Sequence, residues 1–142
     1  MSVDYIQARN EILTPFYDAW RQYGHTMSNV KFDDLPMGDN AGAGTWARAI
    51  LRHNNGFQSS LTGPLEELKR WTSNGKLFIQ LHCPIGQGNT ELYKLAYAIV
   101  SAYRKATTCH VWFRNPGIRE VDSRDMWSQL HVIVDFTYDS IQ

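Results

Sequence analysis

The chain has 142 residues, 43% of them hydrophobic and 13% aromatic, with 14 basic residues balanced by 14 acidic ones. That length suits one domain able to bury a real core, and the neutral sum excludes the overall positive field that draws a protein onto nucleic acid or an anionic membrane. No apolar run nears the roughly 20 residues of a bilayer-spanning helix, Met1 to Tyr5 lacks the basic and apolar regions of a secretory signal, and two cysteines make no disulfide framework, so the expectation is a soluble cytoplasmic chain with Cys83 and Cys109 reduced.

From Asp4 to about Tyr23, the residues Ile6, Leu13, Phe16, Tyr17 and Trp20 recur at helical spacing and predict an amphipathic N-terminal helix. Pro15 lies inside it, where a proline removes one hydrogen bond and clashes with the preceding turn, so a kink or two short helices are expected, with Gly24 as the stop. Val30-Lys31-Phe32 reads as a short strand, and Asp33 to Gly44 as a mobile loop rich in Asp, Asn, Gly and Pro.

Thr45 to Asn54 predicts a long strand with Ala47, Ala49 and Leu51 on one face and Trp46, Arg48, Ile50 and Arg52 on the other. Asn54-Asn55-Gly56 marks a turn, and Gly63-Pro64 breaks the chain before a segment from Leu65 to Trp71. In Lys76 to Cys83, Leu77, Ile79, Leu81 and Cys83 form an apolar strand face. Asn89 or Thr90 then caps a helix whose apolar stripe is Leu92, Leu95, Ala96, Ile99, Val100 and Tyr103. His110 to Phe113 is a short β-branched and aromatic run closed by Asn115-Pro116-Gly117. The natural reading is a strand-helix-strand crossover, with the two cysteines at opposite ends of neighbouring strands. Ile118 to Val121 and Met126 to Tyr138 form a hairpin, the last strand presenting Leu130, Val132, Val134, Phe136 and Tyr138 on one face and His131, Ile133, Asp135 and Thr137 on the other. The fold class is therefore α+β: a single domain over 1–142 with a mixed, mainly antiparallel sheet flanked by an N-terminal helix and a central amphipathic helix.

The chemistry-bearing residues assemble into no catalytic signature. His82-Cys83 and Cys109-His110 offer a zinc-type ligand set, but adjacent strand residues point to opposite faces. Gly86-Gln87-Gly88 opens a helix after a strand, yet Glu91 stands where a dinucleotide-binding turn needs its third glycine. Asp33-Asp34 and Glu66-Glu67 are ordinary solvated acids, and Ser59-Ser60 lacks a nucleophile elbow. No cofactor, metal or catalytic residue is expected. Arg48 and Arg52 share a strand face, and Arg114 and Arg119 flank a turn, so the choice lies between a basic strip and a salt-bridged sheet surface, with the latter favoured.

Three stretches carry a family resemblance: the N-terminal helix ending near Trp20, the strand opening Thr45-Trp46-Ala47-Arg48, and Lys76 to Cys83 followed by Pro84-Ile85-Gly86-Gln87-Gly88. It continues through the helix from Asn89, Val111-Trp112-Phe113-Arg114 to Arg119-Glu120, and the strand ending Phe136-Thr137-Tyr138-Asp139. Their order resembles the tail terminator, or tail-completion, proteins of long-tailed bacteriophages over nearly the whole chain, with Phe57 to Ser73 departing most.

The resemblance implies a non-enzymatic virion protein of the tail and neck, assembled in the bacterial cytoplasm. Six copies would form a ring that caps the tail tube, stops its polymerisation and presents a joining surface to the head-completion or connector protein, while DNA passes unread through the lumen. Ring packing joins one patch to a different patch on the neighbour. The exposed strand faces then supply the expected contacts: Trp46, Arg48, Arg52, Phe78, Gln80, His131, Ile133 and Asp135, with the loop from Asp33 to Gly44 ordering on a partner ring. The rival within the structural class is a connector protein of the same particle. Rivals from other classes are a small enzyme using Asp and His residues and a monomeric ligand-binding module.

Overall fold

Asp4 starts the first helix: its carboxylate accepts a 2.7 Å hydrogen bond from the Gln7 amide, satisfying an N-terminal donor that no helical carbonyl can reach. In the computed structural model, which describes residues 4–23, 30–32, 45–58, 70–84, 90–106, 110–121 and 127–141, helix α1 then runs from Tyr5 to Gln22. It is one continuous element through Pro15, so the division into two short helices does not occur. Its buried stripe is Ala8, Ile12, Leu13, Phe16, Ala19 and Trp20, whereas Ile6, expected on that stripe, is 68% exposed. Small alanines occupy the places where α1 closes most tightly on its neighbours, which apolar periodicity built on large residues misses.

The remaining elements are β1 (Val30–Phe32), β2 (Trp46–Gln58), β3 (Arg70–Pro84), α2 (Thr90–Lys105), β4 (Val111–Glu120) and β5 (Trp127–Ile141). The strands form one five-stranded sheet in the order β1-β2-β3-β5-β4. Only β1 and β2 pair in parallel; the other ladders are antiparallel, which makes the sheet mixed and mainly antiparallel. Strands β3 and β4 run in the same direction and α2 connects them, but β5 lies between them. The crossover therefore spans a strand, and β3 and β4 are not neighbours in the sheet; Cys109, like the loop 33–44 and the Gly86-Gln87-Gly88 turn, lies outside the described residues.

Two sequence signals for turns are β-bulges instead. Strand β2 continues through Asn54-Asn55-Gly56, with one extra residue between the pairs His53↔Gly75 and Asn55↔Asn74. Strand β4 continues through Asn115-Pro116-Gly117, three residues along β4 matching two along β5 between Arg114↔Asp135 and Gly117↔Ile133. Asn115 takes a left-handed φ of 52°, a conformation that asparagine tolerates better than most residues. The extra residue reverses the alternation, so Phe113 and Ile118 both face the side carrying Phe136 and Val132. A proline and a glycine thus mark a bulge that preserves the facing of a strand, and the long partner strand β5 holds both halves in one ladder.

Both helices pack on that same side. Leu77, Ile79, Leu81 and Cys83 of β3 and Leu130, Val132, Val134, Phe136 and Tyr138 of β5 lie beneath Leu92, Leu95, Ala96, Ile99, Val100 and Tyr103 of α2 and the buried stripe of α1. Each large aliphatic side chain buried in this layer contributes about 1.5–3 kcal/mol. Glu91 in the first turn of α2 and Arg104 and Lys105 in its last turn complement the helix dipole.

Candidate functional site

With both helices on one side, the other face of the sheet carries no helix or strand among the described residues. Period-two alternation places alternate side chains of four strands there, and the ladder registers align them in rows. Trp46, His82 and Gln129 form one row, and Arg48, Gln80, His131 and Arg119 the next. Ile50, Phe78, Ile133 and Gly117 follow, then Arg52, Lys76, Asp135 and Arg114. All eight residues singled out from the sequence as contact residues stand in these rows.

Two properties distinguish this face. First, its middle row is apolar: Ile50, Phe78 and Ile133 are each half-buried and adjacent across the ladder. Second, its charge is one-sided. Among the described side chains, Arg48, Arg52, Arg70, Lys76, Arg114 and Arg119 share the face with two carboxylates, Asp135 and Asp139, an excess of four positive charges on a chain whose sum is zero. Lys76 pairs with Asp135 at 3.0 Å and Arg70 with Asp139 at 3.8 Å. Ion pairs therefore do occur here, as a salt-bridged surface requires, and among the described residues the cations of the face outnumber its carboxylates.

At one end of the face, Trp46, Arg48, Gln80, His82, Val121, Gln129 and His131 line a groove of about 400 Å³. The Trp46 indole and the His82 imidazole stack at 3.9 Å between ring centroids and 11° between planes. His82 is 7% exposed, yet neither of its ring nitrogens meets a hydrogen-bond partner among the described residues, and the same holds for Nε2 of His131. Leaving such groups unsatisfied costs about 1–3 kcal/mol apiece. Burial, followed by the neighbouring His131 and then Arg48, lowers the His82 pKa to about 4, so the ring is neutral at pH 7. Burial and then Arg119 lower that of His131 as well. Such a lining offers positive charge and donor groups to an acceptor.

His82, Gln129 and Val121 are not among the contact residues expected from the sequence, where His82 stands only in the zinc-type ligand set. The alternation that put Cys83 in the core already put His82 on the opposite face, but its burial depends on Trp46 lying over it from β2, a cross-strand register that sequence alone does not supply. Cys83 and His82 do point to opposite sides of the sheet.

No family model matches the chain, and no curated protein does. Among solved structures 25 chains match. One of them, whose name states no function, is similar over 94% of this chain and 95% of its own, with 13% identity and a TM-score of 0.58. Likeness at that identity is likeness of fold.

Proposed function

We propose that this chain is a structural subunit of a phage tail terminator: a hexameric ring that caps the tail tube, stops its growth and offers its other side to the head-completion or connector protein. The observation that carries this reading is the open sheet face, with its apolar middle row and four excess positive charges on a neutral chain. Among the described side chains off this face, five acidic and five basic residues cancel. Placing two such faces against each other in a two-fold dimer would oppose like charges, whereas placing the face of one subunit against a different surface of the next avoids that repulsion. Contacts of that second, head-to-tail kind generate rings when their rotation closes. An apolar centre bordered by charged residues is also the anatomy of a protein interface.

On this reading the chain's work is mechanical. The ring recognises a completed tube end by complementary shape and lacks the surface on which another tube ring would grow, and DNA passes through the lumen unread. Light scattering of the purified chain over a concentration series, alone and with tail tube protein, tests it, with electron microscopy of any large species. The expected result is a closed ring, in solution or on tube ends, that halts tube elongation. A chain that stays monomeric and leaves tube growth unchanged rejects the reading, and binding to portal-side protein in place of tube ends selects the connector alternative.

A further inference from the structure

We propose that the groove around His82 is an oxyanion-binding pocket whose natural guest is a carboxylate. His82 lies more than nine-tenths buried in the groove wall, with both ring nitrogens lacking a partner among the described residues. His131 adds a third ring nitrogen, Nε2, without a partner among the described residues on the same lining. The groups facing His82 are Trp46 and Arg48 from β2, Gln80 from its own strand, and Gln129 and His131 from β5, with Arg119 of β4 beside His131. None of the described residues lining the groove is acidic. A neutral imidazole offers one N–H donor and an imidazolium two, so beside the Arg48 guanidinium the described lining presents donors and no acceptor charge, and the volume admits a small carboxylate or an acidic side chain.

An anion in this space interacts with His82 in both protonation states but favours the imidazolium, since an opposite charge nearby stabilises the charged form. Binding therefore takes up a proton, and affinity rises as pH falls from the bound ring's pKa toward the free ring's value of about 4, by at most about tenfold per pH unit for one proton. The guest can be a free carboxylate or the carboxylate of a second copy of this chain. The pocket stands on its own geometry, whether or not the subunits close into a ring.

The test uses the intact chain with histidines labelled for NMR. Glutarate is titrated at pH 7.5 and pH 5, with neutral glutaramide as the isosteric control, and a concentration series without additive is followed by light scattering. A shift of the His82 ring resonances with glutarate, stronger at pH 5 and absent with glutaramide, together with a glutarate-induced His131 shift that is lost in a folded His82→Phe variant, supports a free-carboxylate site. A His82 shift that accompanies a rise in mass, and that glutarate reverses, supports a carboxylate from a second copy. Equal binding of glutaramide overturns the anion chemistry. A His82 ring that moves in neither arm overturns the pocket, even where the mass rises and subunit assembly stands.

Discussion

The Tyr103 hydroxyl, inside the core, donates a 2.6 Å hydrogen bond to the Ile12 carbonyl oxygen and so joins α2 to α1. Burial raises the Tyr103 pKa well above its ordinary value, opposed by the Phe16 amide, which lies one helical rung on from Ile12. Pro15 stands next to that rung, and its ring crowds the Glu11 carbonyl one turn back. Tyr103 thus ties α1 to α2 in the turn where Pro15 leaves the Glu11 carbonyl without its helical donor.

Tyr103→Phe is therefore expected to cost about 1 kcal/mol, because it removes a buried hydrogen bond between the two helices. Urea denaturation measures it. In a Pro15→Ala background, which returns to the Glu11 carbonyl its helical donor, α1 holds this turn by itself and the cost of Tyr103→Phe should shrink. Additive losses in this double-mutant cycle would disprove the coupling.

Gly75 is the residue that lets Phe136 lie against the sheet. A β-carbon added there would stand 2.7 Å from Cζ of Phe136 and 2.8 Å from Cα of His53, and would collide with the Arg52 carbonyl oxygen. Two of those three neighbours are backbone and cannot swing aside. Gly75→Ala is expected to destabilise the chain by about 3 kcal/mol or more. At Gly56, further along the same hairpin, the nearest atom is a serine hydroxyl at 3.7 Å, so Gly56→Ala should be nearly neutral. Equal thermal shifts for the two variants would contradict the crowding at the bulge.

Facing was legible in the sequence wherever alternation or helical spacing ran unbroken. The core faces of β3 and β5 and the stripe of α2 follow directly from their apolar periods. What escaped was everything that depends on a partner strand. Asn54-Asn55-Gly56 and Asn115-Pro116-Gly117 have turn chemistry, yet each lies in a ladder long enough on both sides to absorb one extra residue. The eight contact residues were visible as strand positions pointing away from the core. Their alignment into rows, and the groove beneath Trp46, come from registers set by hairpins and by the insertion of β5 between β3 and β4.

His82 also makes stability depend on pH. The unfolded chain binds a proton at this ring near 6.5, whereas the folded chain binds it only near 4. Between those values the unfolded state holds more protons, so stability falls as pH falls, by about 2 kcal/mol at pH 5 and about 3 kcal/mol below pH 4. His131 and His53, also shifted downward by burial, act in the same direction. Urea midpoints at pH 7.5 and pH 5 should therefore separate more for the wild type than for His82→Phe. An equal separation would mean that His82 is already protonated, or already paired, in the folded chain.

Ile133 and Val132 are adjacent in sequence and opposite in role. Val132 is wholly buried under the helices, while Ile133 lies half-buried in the apolar row of the open face, between Phe78 and Gly117. A carboxylate at Val132 would be stranded in the core, so Val132→Asp is expected to unfold the chain. Ile133→Asp should keep the far-UV circular dichroism of the wild type, because its side chain can reach solvent. If the open face is the subunit contact, Ile133→Asp also places a charge at the centre of an interface, where single residues commonly contribute 2 kcal/mol or more, and assembly should weaken by about thirtyfold. Circular dichroism and light scattering on the two variants separate the possibilities. An unfolded Ile133→Asp would mean that both faces of β5 are core. A folded variant that assembles like the wild type would move the subunit contact off this face, and the explanation of the excess positive charge would have to begin from the His82 groove alone.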